Sequence, residues 1–81
     1  MKKLVQVRLV GLMGQRVTLF CARYIYTGDL VGVNDNCVLL KNAAIVYETG
    51  ALKDKKWDMS EDLPGDWYVT LGSIESFGLL K

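Results

Sequence analysis

Alternation of apolar and polar residues predicts that this chain folds mainly as β-strands. Over residues 16–22, Val17, Leu19 and Cys21 fall on one face of the chain. A period of two is typical of a strand, because successive side chains point to opposite faces. The same character returns in four later segments. The predicted strands are 16–22, 24–33, 37–47, 67–71 and 74–80.

Two glycines and a polar triplet shape the centre of the chain. Gly28 and Gly32 lie inside the predicted strand 24–33, and glycine within a strand marks a bend, a bulge or a close backbone approach. Strong curvature of this kind lets a small sheet close into a barrel. Residues 34–36, Asn-Asp-Asn, predict a tight turn, because short polar side chains cap their own backbone.

The longest apolar segment, 37–47, is apolar on both faces. Cys37, Leu39 and Ile45 lie on one face, and Val38, Leu40 and Val46 lie on the other. A strand at the surface of an antiparallel sheet normally has one polar face, so two apolar faces need two partners. The second partner is either the N-terminal segment or another subunit.

The other segments are less regular. Residues 2–13 combine helical spacing of apolar residues with several β-branched ones, and we favour a short N-terminal helix or turn that ends near Gly11 or Gly14. Residues 49–66 are polar and charged and predict a variable loop with a helical turn near 53–59. We therefore predict one domain, 1–81, with an all-β fold: a small, five-stranded, strongly bent SH3-like barrel.

Composition points to partners and away from catalysis. Hydrophobic residues make up 51% of a chain of 81 residues, and an apolar excess in so small a domain suggests that subunits pack together. The chain has no histidine, which removes the commonest zinc ligand and general base. Cys21 and Cys37 lie in apolar strand patterns without neighbouring ligands. We expect no enzyme, no metal and no cofactor, and reduced cysteines buried as small hydrophobes.

Charge is unevenly distributed although the net charge is only +1. Residues 1–23 carry five basic residues and no acidic one, which predicts either an electropositive face for a polyanion or a solvated surface. The candidates for phosphate contacts are Lys2, Lys3, Arg8 and Arg16. No segment is apolar over the ~18 residues of a membrane span, so we expect a cytoplasmic protein without membrane contact.

Residues 14–43 resemble the first motif of the Sm-like family, in which a hydrophobic–Tyr–x–Gly–x–Leu pattern precedes a glycine, a turn and an apolar strand. The matching residues are Tyr26, Gly28, Leu30, Gly32 and Val33. Residues 33–42 are similar, without a gap, to the turn and third strand of the Hfq-like branch. Residues 67–77 resemble the second motif of the family, so the resemblance covers roughly 14–80.

The match departs from the family at functional positions. Asn34 stands where the family usually has Asp, and Asn36 where it has the residue on which a base stacks. Gly72-Ser73 occupies a turn that carries Arg-Gly in other members, Glu75 replaces a cation, and the Tyr-Lys-His motif of the Hfq-like branch has no match. The resemblance is therefore stronger for the fold than for the site.

What the resemblance implies is a homo-oligomeric ring of about five to seven subunits, whose closing strands pair edge to edge. It also implies binding of single-stranded RNA or DNA near the pore, where two turns meet. The candidate residues there are Asn34, Asp35, Asn36, Gly72 and Ser73. Amides suit base edges, and N–H groups and hydroxyls suit phosphate; plain turn chemistry explains the same residues.

Three aromatic residues each have two interpretations. Tyr24 and Tyr26 either stack on bases or pack in the barrel, and Trp57 either marks a contact surface or folds back to anchor its loop. The leading hypothesis is an RNA-binding Sm-like ring that acts in RNA or DNA processing. The alternative is a structural or adaptor SH3-like ring that binds a protein partner through residues 49–66.

Overall fold

A computed structural model describes residues 2–81 of the chain, with side chains from Leu4 onward. The fold is mostly β, with one short α-helix and a 3₁₀ turn before the last strand. In chain order the elements are α1 (Lys2–Val10), β1 (Arg16–Cys21), β2 (Ile25–Val33), β3 (Cys37–Glu48), β4 (Met59–Asp62), β5 (Trp67–Thr70), the 3₁₀ turn (Leu71–Ser73) and β6 (Ile74–Gly78). The predicted small β fold with an N-terminal helix is confirmed at this level.

All the strands belong to one antiparallel sheet with the order β4-β3-β2-β1-β6. The long strand β3 pairs with β2 on one side. On its other side it pairs with β5 through residues 37–40 and with β4 through residues 44–48. The sheet therefore has six strands rather than the predicted five, and its outer strands are β6 at one end and β4 and β5 at the other.

The extra strand lies inside the segment predicted as a loop. All four residues of β4 are exposed, so neither face of this strand carries the apolar alternation that would identify it. It is held by backbone pairing with β3 instead. The helical turn expected near 53–59 is absent from the described structure, where the backbone N–H of Asp54 closes a single turn on Ala51 O at 3.0 Å.

Bends in β2 occur where the glycines predict them. The pairing of β2 with β3 shifts register between Thr27 and Asp29 and again between Leu30 and Gly32. A Cβ on Gly28 would lie 3.1 Å from both Ala43 Cα and Leu40 Cβ. Gly28 therefore allows the backbone of β3 to approach closely at the bend, where a larger residue would have to displace its neighbours.

The core lies on one face of the bent sheet and is closed by α1. Val5, Leu9 and Leu12 pack toward it, and Leu9 is fully buried. The helix ends at Val10 and the chain reverses at Gly14, which has φ +85°. The buried hydrophobic cluster consists of Leu9, Val17, Leu19, Leu30, Val38, Leu40, Ala43, Val69, Leu71 and Ile74.

The two apolar faces of β3 have different environments. Val38, Leu40 and Val46 are buried in or beside the core, whereas Leu39 is half-buried and Tyr47 is 50% exposed on the opposite face. The helix α1 cannot be the second partner, because Leu9 joins the same core as Val38 and Leu40. The outer face of β3 is thus only partly covered within the chain.

Both cysteines are free and half-buried rather than buried. Cys37 begins β3 on its outer face, and Cys21 ends β1 at a register shift in the pairing with β6. These positions at strand ends leave one side of each thiol open.

A membrane-spanning helix needs a long apolar stretch, and the helix found among residues 2–81 does not meet that requirement.

Candidate nucleic-acid interface

The turn after β2 and the 3₁₀ turn after β5 are joined by a hydrogen bond. The backbone N–H of Leu71 donates to Asn36 O at 2.8 Å. The contact follows from the topology, because β5 pairs with the first residues of β3 and therefore ends beside the turn that starts β3. Leu71 is buried, so its side chain fixes the 3₁₀ turn to the core while its backbone holds the other turn.

Asn34 is the residue that shapes the first turn. Its Oδ1 accepts hydrogen bonds from the backbone N–H groups of Asn36 at 2.7 Å and Cys37 at 2.9 Å. Its own N–H donates to Cys37 O at 3.0 Å and closes the hairpin. The carbonyl of this side chain is therefore used by the turn, and the amide N–H₂ group is the part that lies outside these bonds.

Asp35 connects the turn to the N-terminal helix. Gln6 Nε2 on α1 donates to Asp35 Oδ1 at 3.1 Å, so the helix lies directly beside the turn. Asn36 is exposed. Gln6 was missed by sequence reasoning, because no local pattern shows that a helical residue 29 positions away reaches the turn.

The 3₁₀ turn uses its serine internally. Ser73 Oγ donates to Thr70 O at 2.9 Å, and Thr70 Oγ1 donates to Ser73 Oγ at 3.2 Å. Ala22 N–H donates to Ser73 O at 3.0 Å, which links this turn to the end of β1. Gly72 is exposed, and no atom lies within 4 Å of the position that a Cβ would take there. The open surface of this turn is therefore at Gly72.

The four basic candidates do not all lie near the turns. Arg8 is exposed on α1, the helix that contacts Asp35, and the side chains of Lys2 and Lys3 on the same helix lie outside the described residues. Arg16 is held elsewhere: its Nη1 lies 3.3 Å from Asp29 Oδ1 and donates to Asn42 O at 3.0 Å.

The ion pair between Arg16 and Asp29 is distant from the turn, and the two charges compensate each other. Asp29 on β2 precedes Asn34 by five positions in the chain, which is at most about 16 Å at ~3.3 Å per residue. Hydrogen bonds from Asn42 and Arg16 hold the pKa of Asp29 below its ordinary value. The structure therefore groups α1 with the two turns and leaves Arg16 in a separate polar cluster.

An exposed tyrosine lies beside the first turn. Tyr68 on β5 is 64% exposed and stands opposite Leu39 in the β3–β5 pairing. With Gly32 and Asn34 it lines an open cleft of about 250 Å³, completed by Val33, Cys37 and Leu39. Gly32 adds no side chain to this cleft. An open apolar cleft with an exposed aromatic ring and an amide side chain in its lining has the features that accept an unstacked base.

Sequence reasoning did not identify Tyr68. Alternation around Val69 predicts that Tyr68 points outward, but its position beside Asn34 depends on the β3–β5 register, which no local pattern reveals. The aromatic residue that is absent at position 36 is thus present nearby on a different strand.

A second cleft, of about 370 Å³, lies near the end of β1 and is lined by Cys21, Tyr24, Tyr26 and Ser73, with Ala22 and Arg23. The two tyrosine rings are 6.2 Å apart and edge to face. Tyr26 packs against the core, whereas Tyr24 is 48% exposed. Burial raises the pKa of the Cys21 thiol, while a hydrogen bond with Ser73 opposes the shift. Cys21 is accordingly a protonated thiol at neutral pH.

No protein-family model matches this chain, and no curated protein is significantly similar to it. The resemblance to the Sm-like family therefore depends on the sequence motifs alone. In the described residues, no group of three or more acidic or cysteine side chains is placed to hold a metal ion.

Proposed function

We propose that this protein binds single-stranded RNA, or single-stranded DNA, as an Sm-like ring of identical subunits. The observation that carries the proposal is the contact between the two turns. The resemblance implies that these turns meet at the pore, and Leu71 N–H bonds to Asn36 O at 2.8 Å. The turn at 34–37 and the 3₁₀ turn that ends at Ile74 are far apart in the chain but thereby share one surface.

Base recognition in this proposal uses Tyr68 and Asn34. The exposed tyrosine ring supplies the stacking surface that Asn36 lacks, and the amide N–H₂ of Asn34 supplies donors at the cleft rim. Sequence-independent affinity comes from α1, where Arg8 is exposed and Gln6 ties the helix to the turn. Repetition of this basic helix around a ring multiplies a modest charge into a strong field.

Two features support assembly into a ring. Each end of the sheet, β6 on one side and β4 with β5 on the other, offers backbone groups to a further strand, and open edges of this kind are normally paired or protected. The outer face of β3 is also only partly covered, since Leu39 on that face is half-buried. In a ring, β6 of each subunit would pair with the β4–β5 edge of its neighbour. This single contact, repeated around the ring, gives both open edges of every sheet a partner, as a closed ring requires.

Binding of fluorescent oligo-U and oligo-A, measured by anisotropy over a range of salt concentrations, tests the proposal. We expect binding that is tightest at low salt, because phosphate contacts release counter-ions. The Tyr68→Ala variant is expected to bind roughly 5- to 150-fold more weakly, the effect of losing about 1–3 kcal/mol of stacking.

Tyr47→Ala is the matched control, since Tyr47 is also an exposed tyrosine of the sheet but lies at the far end of β3 from the cleft. It should bind as the parent protein does. Absence of binding at low salt contradicts the proposed function, and equal losses in the two variants contradict the assignment of the cleft.

The adaptor alternative has one observation in its favour. All four side chains of the edge strand β4 are exposed, and they offer a protein partner a surface that does not depend on the backbone edge of the strand. A mass in solution that corresponds to a ring, together with no oligonucleotide binding at low salt, would favour this function over nucleic-acid binding.

A further inference from the structure

Lys81 inserts its ammonium group among backbone carbonyls of the segment between β3 and β4. Lys81 Nζ donates to the oxygens of Thr49 at 3.0 Å, Ala51 at 2.9 Å and Lys56 at 3.0 Å. A lysine ammonium has three N–H donors. The three carbonyls therefore equal in number the donors of one primary ammonium group. We call the three carbonyls, together with the Trp57 ring, the carbonyl cradle.

Trp57 completes the cradle. Lys81 Nζ lies 4.5 Å from the centre of its ring, within the distance at which a cation is attracted to an aromatic face. Among the side chains that the structure describes, from Leu4 onward, the one ion pair is between Arg16 and Asp29, so no carboxylate forms an ion pair with Lys81. The direct partners of its ammonium group are three carbonyl dipoles and an aromatic face.

The cradle is shaped by bonds of its own. Gly50 has φ +65°, a conformation that side-chain-bearing residues rarely adopt, so the turn favours glycine. Thr49 Oγ1 donates to Gly50 O at 2.9 Å, and Asp54 N–H donates to Ala51 O at 3.0 Å. The second of these bonds holds one of the three cradle carbonyls, Ala51 O, independently of Lys81.

The backbone of Lys81 is held as well. Thr27 Oγ1, which is fully buried on β2, donates to Val17 O at 3.0 Å and to Lys81 O at 3.3 Å. Lys81 thus bridges the outer face of β1 and β2 to the segment 49–57. Two of the three lysines of that segment, Lys53 and Lys55, are exposed and contribute no carbonyl to the cradle, so they serve as natural comparisons.

We propose that residues 49–57 form a binding site selective for a primary ammonium group, and that Lys81 is its ligand within this chain. Occupation of the site ties residues 79–81 to the outer face of β1 and β2. The site takes an alkylammonium ion when Lys81 no longer fills it. A guanidinium fits poorly, because its planar fork cannot direct three donors toward three convergent carbonyls.

The experiment follows the indole N–H of Trp57 by NMR. The signal of the second tryptophan, Trp67, is the internal reference, and Trp57→Phe assigns the two. Lys81→Ala and Lys81→Arg are expected to shift the Trp57 signal strongly, whereas Lys53→Ala leaves both signals unchanged. If Lys81→Arg retains the parent signal, charge alone suffices and the ammonium selectivity is wrong.

Rescue tests the site directly. Propylammonium, added to Lys81→Ala at constant ionic strength, should return the Trp57 signal toward its parent position with a saturable midpoint in the millimolar range. Tetramethylammonium, which has no N–H donor, and neutral propanol should not. Absence of a saturable, propylammonium-specific shift overturns the proposal.

A measurement on the parent protein covers the case in which Lys81→Ala does not fold. The ¹⁵N-ammonium signal of Lys81 should be shifted by the tryptophan ring current and protected from exchange, unlike those of Lys53 and Lys55. If the Lys81 ammonium matches those two exposed lysines, the cradle is empty in solution and the proposal is wrong. None of these readouts depends on nucleic-acid binding.

Discussion

Replacing Thr18 and Thr27 one at a time with valine separates a buried hydroxyl that has a partner from one that has none. The two residues stand opposite each other in the β1–β2 pairing, and both are fully buried. Thr27 Oγ1 donates to Val17 O at 3.0 Å and to Lys81 O at 3.3 Å. Thr18 Oγ1 has no hydrogen-bond partner among residues 2–81.

The expected effects have opposite signs. Valine replaces each hydroxyl with a methyl group of similar shape. At Thr18 this removes an unpaired buried hydroxyl, whose desolvation costs about 1–3 kcal/mol, so we expect the free energy of unfolding to rise by about 1 kcal/mol. At Thr27 it removes a satisfied hydrogen bond with a net value of about 1 kcal/mol, so stability falls by that amount.

Urea unfolding followed by circular dichroism measures both changes at a single protein concentration, because assembly makes stability concentration-dependent. The two variants should differ by about 2 kcal/mol, or roughly 8–16 °C in Tm for a domain of this size. If Thr18→Val loses as much stability as Thr27→Val, the Thr18 hydroxyl has a partner in solution and the assigned packing of this face is wrong.

Two further predictions concern the sheet. Gly28→Ala places a Cβ 3.1 Å from Ala43 Cα, and it should lower the free energy of unfolding in urea by about 1–3 kcal/mol. The control is Gly72→Ala, where nothing lies within 4 Å of the new Cβ and stability should change by less than about 0.5 kcal/mol. Equal losses of stability in the two variants would contradict the close approach at Gly28. Because hydrogen bonds from Asn42 and Arg16 lower the pKa of Asp29 in the folded chain, its stabilising contribution is present above the ordinary carboxyl pKa and is lost as pH falls through the lower, folded pKa. Asp29→Asn should therefore be less stable than the parent at neutral pH and approach it in acid, and a stability difference that does not shrink on acidification would contradict this role.

Most of the strands could be predicted from the sequence because burial on one face imposes a pattern. In β1 the apolar residues Val17 and Leu19 both join the core as expected, although the polar Thr18 between them is buried as well. Strand β4 has no buried residue, so its pairing with β3 leaves no trace in residue type. Its prediction as part of a loop was wrong for that reason.

The candidate site was only partly predictable. Asn34 indicates a turn by residue type alone, and its two hydrogen bonds confirm that turn. The proximity of Tyr68 depends on strand register, and the carbonyl cradle is built from backbone groups whose side chains carry no shared chemistry. Trp57 was the one sequence signal for the cradle, and of its two interpretations the folded-back anchor is the one that the Lys81 contact supports.

The central claim is that a ring of this chain binds single-stranded nucleic acid. Sedimentation of a fluorescent oligo-U mixed with the protein at low salt tests both parts in one measurement, since it reports the mass of the particle that carries the label. The oligonucleotide is expected to sediment with a complex of about five to seven chains of 9.1 kDa each. An oligonucleotide that sediments free of the protein, or a protein that remains at the mass of a single chain, would contradict it.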